Sequence, residues 1–396
     1  MATTKWTGNA SNVGHQMTLT VAGAWTATET VTLTLNSAKL VMTVTANMTS
    51  GEVAAALSAM INGDAITGLA ETRSSVGISH VQWFGVTATV VSSVVTLVHS
   101  IDGFPYTVSA ADTGVGSVTA AVSVQGTGRN WISNADNWDN GVPASADTVI
   151  VDGDETSVPM LYDLGAFSGD TWAKAIFRRA PEVGLSNESF SYETDLIERL
   201  TVGITSLDIR ESIGSTMRLN TGTVATTLYA NGANTVDWVG VHSSNALIAN
   251  GNTTLNIAVG IGESASLATV LVNGSTLVIG DLCTIATSIT GLANASITVN
   301  DSIVPLVSAN NSRLIINGRN AVTTATLYEA TGVFNTTGTI TTINNGVRSN
   351  VNLANDGRLK NVTTLNMSKN STLLKSSQVT IGTIAYATDV TTISTN

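Results

Sequence analysis

The fold is decided by stretches of one kind, such as TLVIG at residues 276–280, SITVN at 296–300 and RLIING at 313–318. Each stretch places a few Leu or β-branched residues ahead of Asn or Gly. Such residues favour short extended strands, and Asn and Gly end them. From about Leu200 onward the chain repeats this pattern, which predicts many strands and almost no helix.

The spacing of these stretches indicates how the strands are arranged. After Leu200 the apolar triplets recur at roughly 9 to 13 residues, so two or three strands would make one coil of about 20 to 30 residues. Stacked coils form a parallel β-helix in which Leu, Ile and Val point inward and Asn residues stack at the corners. We therefore predict a β-solenoid over residues 200–396. A Greek-key sandwich stays open as the alternative, because Asn-Gly pairs suited to hairpins occur at residues 231–232, 273–274, 317–318 and 345–346.

Residues 1–125 predict a different unit, an α+β domain with a mainly antiparallel sheet and one helix. Thr49 and Glu52 have the spacing of a capping box, and apolar residues follow at helical intervals until Gly63 ends the helix. A turn is expected at Asn36-Ser37. Alternating patterns predict strands at residues 17–21, 30–35, 40–44, 80–86, 87–91, 94–99, 104–108 and 118–124.

Residues 126–199 are predicted to form a tryptophan-rich junction that caps the solenoid. Trp131 and Trp138 are seven residues apart, ahead of Pro143 and an apolar strand. We expect their indoles to cover the open end of the β stack. Tryptophan and arginine are also enriched at protein interfaces, although core packing is the alternative for the tryptophans. The candidate interface residues are Trp6, Trp131, Trp138, Trp172, Arg178 and Arg179.

The composition narrows the classes of partner. Only 11% of the 396 residues are charged, and the net charge is −11. An acidic chain without basic runs lacks the electrostatic footprint of a nucleic-acid-binding protein. The apolar runs are too short to span a bilayer, and residues 1–25 lack the apolar region of a signal peptide. We therefore expect synthesis in the cytoplasm, with neither a nucleic acid nor a membrane as partner.

Few residues are suited to chemistry. The four histidines are scattered without the spacing of metal ligands, and the acidic turn at residues 152–155 is too short for an EF-hand loop. Acids are sparse after residue 200 and lack the aromatic neighbours expected of a glycosidase groove. The Gly-x-Gly stretch at residues 260–262 precedes no helix and is expected to be a turn. Cys283, the single cysteine, is expected to be a small buried residue. We expect no catalytic residue, cofactor or metal, and therefore a protein that is not an enzyme.

Two motifs carry a resemblance to a class of proteins. The chain begins with Trp6-Thr7-Gly8-Asn9-Ala10, and Asn130-Trp131 and Asn137-Trp138 are followed by Gly141 and Pro143. The layout resembles that of phage and prophage virion structural proteins, in which similar segments precede a repetitive tail rich in Thr, Asn and Gly.

The resemblance implies a capsid decoration protein or head-fibre-type subunit located in the virion. Its partner would be the major capsid protein or another virion protein. Because solenoids expose strand edges and low-charge faces, we also expect a homotrimer. The alternatives are a tail fibre or spike that attaches to a host-surface glycan, and a tailspike enzyme that degrades polysaccharide. A bacterial surface adhesin is disfavoured, since no export signal is visible.

Overall fold

The computed structural model describes residues 2–35, 38–64, 71–76, 85–186, 197–212, 216–386 and 392–395. The predicted turn at Asn36-Ser37 and most of the predicted strand at residues 80–86 lie outside the described residues. The chain divides into two compact units, which we call the solenoid unit (residues 1–8, 135–186 and 197–396) and the N-terminal unit (residues 9–134 and 187–196). The first eight residues, which the sequence assigns to the N-terminal domain, are thus part of the solenoid unit.

The solenoid unit consists mainly of two parallel sheets, and from Leu200 onward successive strands alternate between them. Counted over the described residues, the larger sheet has thirteen strands and the smaller has eleven. The strands of the larger sheet, in spatial order, are Thr3–Lys5, Thr148–Asp152, Thr171–Ala180, Gly203–Ser212, Thr227–Asn231, Ala246–Asn250, Ser264–Asn273, Leu282–Leu292, Val304–Asn310, Val322–Tyr328, Ile340–Asn345, Lys360–Met367 and Val379–Tyr386. The strands of the smaller sheet are Leu200–Thr201, Thr216–Asn220, Thr235–Val239, Thr254–Ile257, Thr276–Ile279, Ser296–Val299, Arg313–Gly318, Thr331–Thr336, Asn350–Asn352, Thr372–Lys375 and Thr392–Thr395. A 3-10 helix (Ala135–Asn137) and an antiparallel pair (Leu185–Ser186 with Ile197–Glu198) complete the unit.

Each turn of the solenoid therefore contains two strands, one in each sheet. In the larger sheet Leu228 pairs with Leu247, Leu247 with Val270, Val270 with Ile289, and Ile289 with Val307, which are offsets of 19, 23, 19 and 18 residues. All five side chains are buried. Burying an aliphatic side chain of this size stabilises a fold by about 1.5–3 kcal/mol. Continuous ladders of such residues form the interior, so the predicted parallel β-solenoid is confirmed.

The Asn-Gly pairs do not form hairpins. Gly232, Gly274 and Gly318 adopt left-handed φ angles of 90°, 61° and 100°, which glycine reaches without steric cost. After each of them the chain passes to a strand of the other sheet rather than back along the same one. The parallel register excludes the Greek-key sandwich for this region.

The N-terminal unit contains one helix and two antiparallel sheets, each of four strands in the described ranges. The helix Ser50–Asn62 begins with the predicted capping box of Thr49 and Glu52 and ends at Gly63 in the left-handed conformation. Its apolar face joins the core formed by the strands. One sheet contains Val86–Val91, Val94–His99, Gln16–Ala22 and Ser117–Val124. The other contains Glu71–Val76, Ala38–Val44, Thr30–Leu35 and Val108–Asp112.

One predicted strand of this unit is displaced. The sequence pattern places it at residues 104–108, whereas the observed strand is Val108–Asp112. Pro105 has no N–H to donate to a sheet. The ring of Phe104 stacks on His99 at a centroid distance of 4.4 Å, and the hydroxyl of Tyr106 donates to the carbonyl of Leu97 at 2.8 Å. These side chains are used for packing, so the segment ahead of Val108 remains irregular.

Candidate functional site

A row of aromatic rings lies within the first turns of the solenoid unit. The Trp6 and Trp138 rings meet edge to face at 5.1 Å, Trp138 and Phe167 at 6.4 Å, and Phe167 lies 5.2 Å from Trp172. The indole N–H of Trp6 donates to the carbonyl of Val158 at 2.9 Å. All four rings are buried. They therefore act as the core of this end of the solenoid, and their surfaces are used within the chain.

The two tryptophans of the junction lie in different units. Trp138 joins the aromatic row, whereas Trp131 is buried in the N-terminal unit, where its indole N–H donates to the carbonyl of Gly103 at 2.7 Å. The division between the units falls between Asn134 and Ala135. The expectation that both indoles cover the same β stack therefore holds only for Trp138.

The candidate interface residues Arg178 and Arg179 are on the surface, and each has an acidic partner. Arg178 binds Asp152, and Arg179 Nη1 lies 2.6 Å from a carboxylate oxygen of Asp154. The hydrogen bond from Arg178 holds the pKa of Asp152 below its ordinary value. About half of each arginine side chain remains exposed. Their role at an interface stays a prediction.

Asparagines form a ladder along the corner that follows the smaller sheet. The side-chain amide of Asn317 donates to Asn300 at 3.1 Å, Asn335 donates to Asn317 at 3.0 Å, and Asn355 donates to Asn335 at 3.2 Å. This confirms the predicted stacking of corner asparagines. Because each amide needs its neighbour in register, the ladder resists sliding of one turn past the next.

A groove with a volume of about 520 Å³ lies along the same corner. It is bounded by the loop at residues 259–263 and by the turns at residues 280–282, 300–301 and 319–320. The turns approach closely here. A Cβ atom added to Gly280 would lie 1.8 Å from the carbonyl oxygen of Ala258, so only glycine fits at this position.

One side of the groove is held by a buried ion pair, Arg199 with Glu263. The guanidinium donates twice to the carboxylate, with Nη2 to Oε2 at 3.0 Å, and the side chains are only 7% and 21% exposed. The backbone N–H of Gly260 also donates to Glu263 at 2.9 Å. Arg199 precedes the first strand of the smaller sheet and Glu263 follows the fourth. The pair therefore bridges three strand spacings, about 14 Å, and fixes the loop.

Two carboxylates on the other side of the groove differ in their hydrogen bonding. Asp301 accepts from the backbone N–H of Arg319 at 2.7 Å, from its Nε at 3.2 Å and from the amide of Asn320 at 3.0 Å. These bonds, the backbone one foremost, lower the pKa of Asp301. Asp281 is exposed and has no hydrogen bond or ion pair within the described part of the chain. Beside it, Leu282 and Ile261 are 59% and 99% exposed. The groove thus combines fixed acceptors, a guanidinium donor and apolar surface.

The sequence analysis did not single out Glu263, Asp281 or Asp301 among the sparse acids after residue 200. One feature of the sequence could have indicated a loop at this site. The turn from Leu247 to Val270 is 23 residues long, four or more longer than the next two turns, and the extra residues form the loop at the groove. The partner of Glu263 is 64 residues away, and no local pattern reveals such a pair.

Two further findings bear on function. Cys283 is buried, as predicted, and burial raises the pKa of its thiol. Over the ranges that the structure describes, no three His, Cys, Asp or Glu side chains are grouped so that they could hold a metal ion.

No helix in the described parts of the chain is both long and apolar enough to cross a membrane. Comparison of the chain with protein-family profiles, curated proteins and solved structures gives no match.

Proposed function

We propose that the chain is a non-enzymatic structural subunit of a bacteriophage virion, of the capsid-decoration or head-fibre type. The observation that carries the proposal is the solenoid itself. Ten spacings between the eleven strands of the smaller sheet make a rod of about 50 Å. The interior is filled by aliphatic ladders, and the outside is tied by Asn and Thr hydrogen bonds. A rod of this kind is suited to holding shape against mechanical load.

In this proposal the subunit docks on the major capsid protein or another virion protein through the N-terminal unit or the junction. The exposed parts of Arg178 and Arg179 supply polar contacts there. The solenoid reinforces the shell or projects from it. Self-association into a homotrimer would cover low-charge faces, since only 11% of all residues are charged.

Localisation on particles tests the proposal. Particles would be purified from the bacterial strain that encodes the chain, analysed by mass spectrometry and imaged by electron cryo-microscopy. We expect the chain among the virion proteins and density for a two-sheet rod at the particle surface. Purified particles without the chain would overturn the proposal.

The oligomeric state is tested separately by mass photometry of the purified chain. A species of three chains is expected. A stable monomer at micromolar concentration would contradict the trimer and leave the virion location to the imaging experiment.

A further inference from the structure

We infer that the groove beside the loop at residues 259–263 binds a linear, uncharged oligosaccharide that lies parallel to the solenoid axis. This goes beyond the proposed structural role, because a rod that only holds shape needs no ligand site. A volume of about 520 Å³ lies within the range of pockets that hold small organic ligands.

The first argument is the spacing of the polar groups. The strands ahead of Asp281, Asp301 and Arg319 pair with one another in register. Continued past the strand ends, this register places Asp281 level with Asp301, at the strand spacing of about 4.8 Å, and Asp301 level with Gly318, the residue before Arg319. A chain of pyranose rings offers hydroxyl groups at a comparable interval, so one ring can face each turn.

The second argument is the chemistry of the groups. Carboxylates accept hydrogen bonds from hydroxyls, and a guanidinium donates to hydroxyl oxygens. Within the Arg319 guanidinium, only Nε donates to Asp301, and 83% of the side chain is exposed, so the remaining guanidinium N–H groups face solvent. Leu282 and Ile261 add exposed apolar surface against which the C–H face of a sugar ring can pack.

Charge and rigidity narrow the class of ligand. Glu263 is neutralised by Arg199 and Asp301 by Arg319, which leaves Asp281 as an unpaired negative charge. A phosphorylated or sulfated chain would be repelled at this position. The loop and Asp301 are already held by hydrogen bonds before a ligand arrives, so little ordering is needed on binding.

The test uses the full chain and a defined set of immobilised hexasaccharides: cellohexaose, maltohexaose, xylohexaose, chitohexaose and mannohexaose, with a heparin hexasaccharide as the anionic comparator. Surface plasmon resonance would be run on the wild type and on Asp281→Ala, Leu282→Ala and the control Glu211→Gln. Glu211 is exposed and lies near the C-terminal end of the strand Gly203–Ser212 of the larger sheet, whereas the groove follows strands of the smaller sheet. Its replacement removes the same charge.

We expect at least one neutral hexasaccharide to bind and Asp281→Ala to weaken it about tenfold, the effect of losing a hydrogen bond to a charged group. Leu282→Ala should also weaken binding, and Glu211→Gln should not. Because Asp281 is exposed and unpaired, its replacement should leave the melting temperature unchanged, so lost binding would not reflect unfolding.

Three results would overturn the inference: no binding of the wild type to any immobilised neutral hexasaccharide, undiminished binding by Asp281→Ala, or binding to heparin alone. None of them affects the virion proposal, which depends on particle localisation.

Discussion

Replacing Glu263 with Gln should destabilise the solenoid more than replacing its partner Arg199 with Met. The two side chains form one ion pair but differ in exposure, 7% for Arg199 and 21% for Glu263. Removing Glu263 leaves a guanidinium buried without a counter-charge, and its Nε already has no hydrogen-bond partner among the residues that the structure describes. Removing Arg199 leaves a carboxylate that water can reach and that keeps the backbone N–H of Gly260.

The magnitude follows from the cost of an uncompensated buried charge. Breaking a buried pair by removing one partner costs about 3–5 kcal/mol. Glu263→Gln should fall in this range because the arginine cannot be rehydrated in place. Arg199→Met should cost about 1–2 kcal/mol, since the remaining carboxylate is partly solvated and the Met side chain fills most of the space. The double variant Arg199→Met with Glu263→Leu should recover much of the loss, because no charge then remains buried.

Urea unfolding followed by circular dichroism would give the free energy of unfolding of each variant. Hydrogen exchange of the loop at residues 259–263 would show whether the loss is local. Arg179→Met is the matched control, because its ion pair with Asp154 is about half exposed on both sides and should contribute at most about 1 kcal/mol. If Arg199→Met costs as much as Glu263→Gln, or if the double variant is the least stable of the three, the reasoning from exposure is refuted.

Three other predictions test the packing and electrostatics of the structure. Gly280→Ala should lower the free energy of unfolding by about 1–3 kcal/mol through steric overlap with the adjacent turn, whereas Gly165→Ala, which meets nothing within 4 Å, should be nearly neutral in the same urea experiment. The buried Cys283 thiol should resist Ellman's reagent in the native protein and react fully in urea; rapid native labelling would contradict its burial. Burial lowers the pKa of His15, whose Nδ1 accepts from the N–H of Gly126 at 3.0 Å. The unfolded chain therefore binds the proton first, near pH 6.5, so the N-terminal unit should lose stability as the pH falls from about 7 to 5; equal losses in wild type and His15→Gln, compared at pH 7.5 and 5.5, would refute this.

The parts of the fold that depend on local chemistry could be predicted from the sequence. The capping box at Thr49 and the corner asparagines each act over a few residues or over one repeat, and both were recognised. The recurrence of apolar triplets also gave the solenoid, although the count of strands per coil stayed open between two and three. The reason is that sequence spacing does not distinguish a corner from a short strand.

The parts of the fold that could not be predicted depend on contacts between residues far apart in the sequence. Thr3 pairs with Thr148 in the larger sheet, and three residues at the start of the chain carry no signal for such a partner. Trp238 shows a second reason why the sequence does not predict every feature of the fold. The other six tryptophans lie within the first 172 residues, yet this ring is fully buried in the solenoid. Space is available because Gly240 lies against it; a Cβ there would be 2.4 Å from the ring.

The Arg199–Glu263 pair connects these observations to the proposed groove. In an ordinary solenoid each turn contacts only its neighbours, so stability is a sum of local terms and a surface loop is free to move. An ion pair that crosses three strand spacings adds a non-local term and fixes the loop that bounds the groove. Because a preorganised loop reduces the ordering cost of binding, the site can be rigid even though it lies on an inserted loop. The stability of the loop at residues 259–263 and the affinity of the groove should therefore change together when Glu263 is replaced, whereas replacing Asp281 should change the affinity alone.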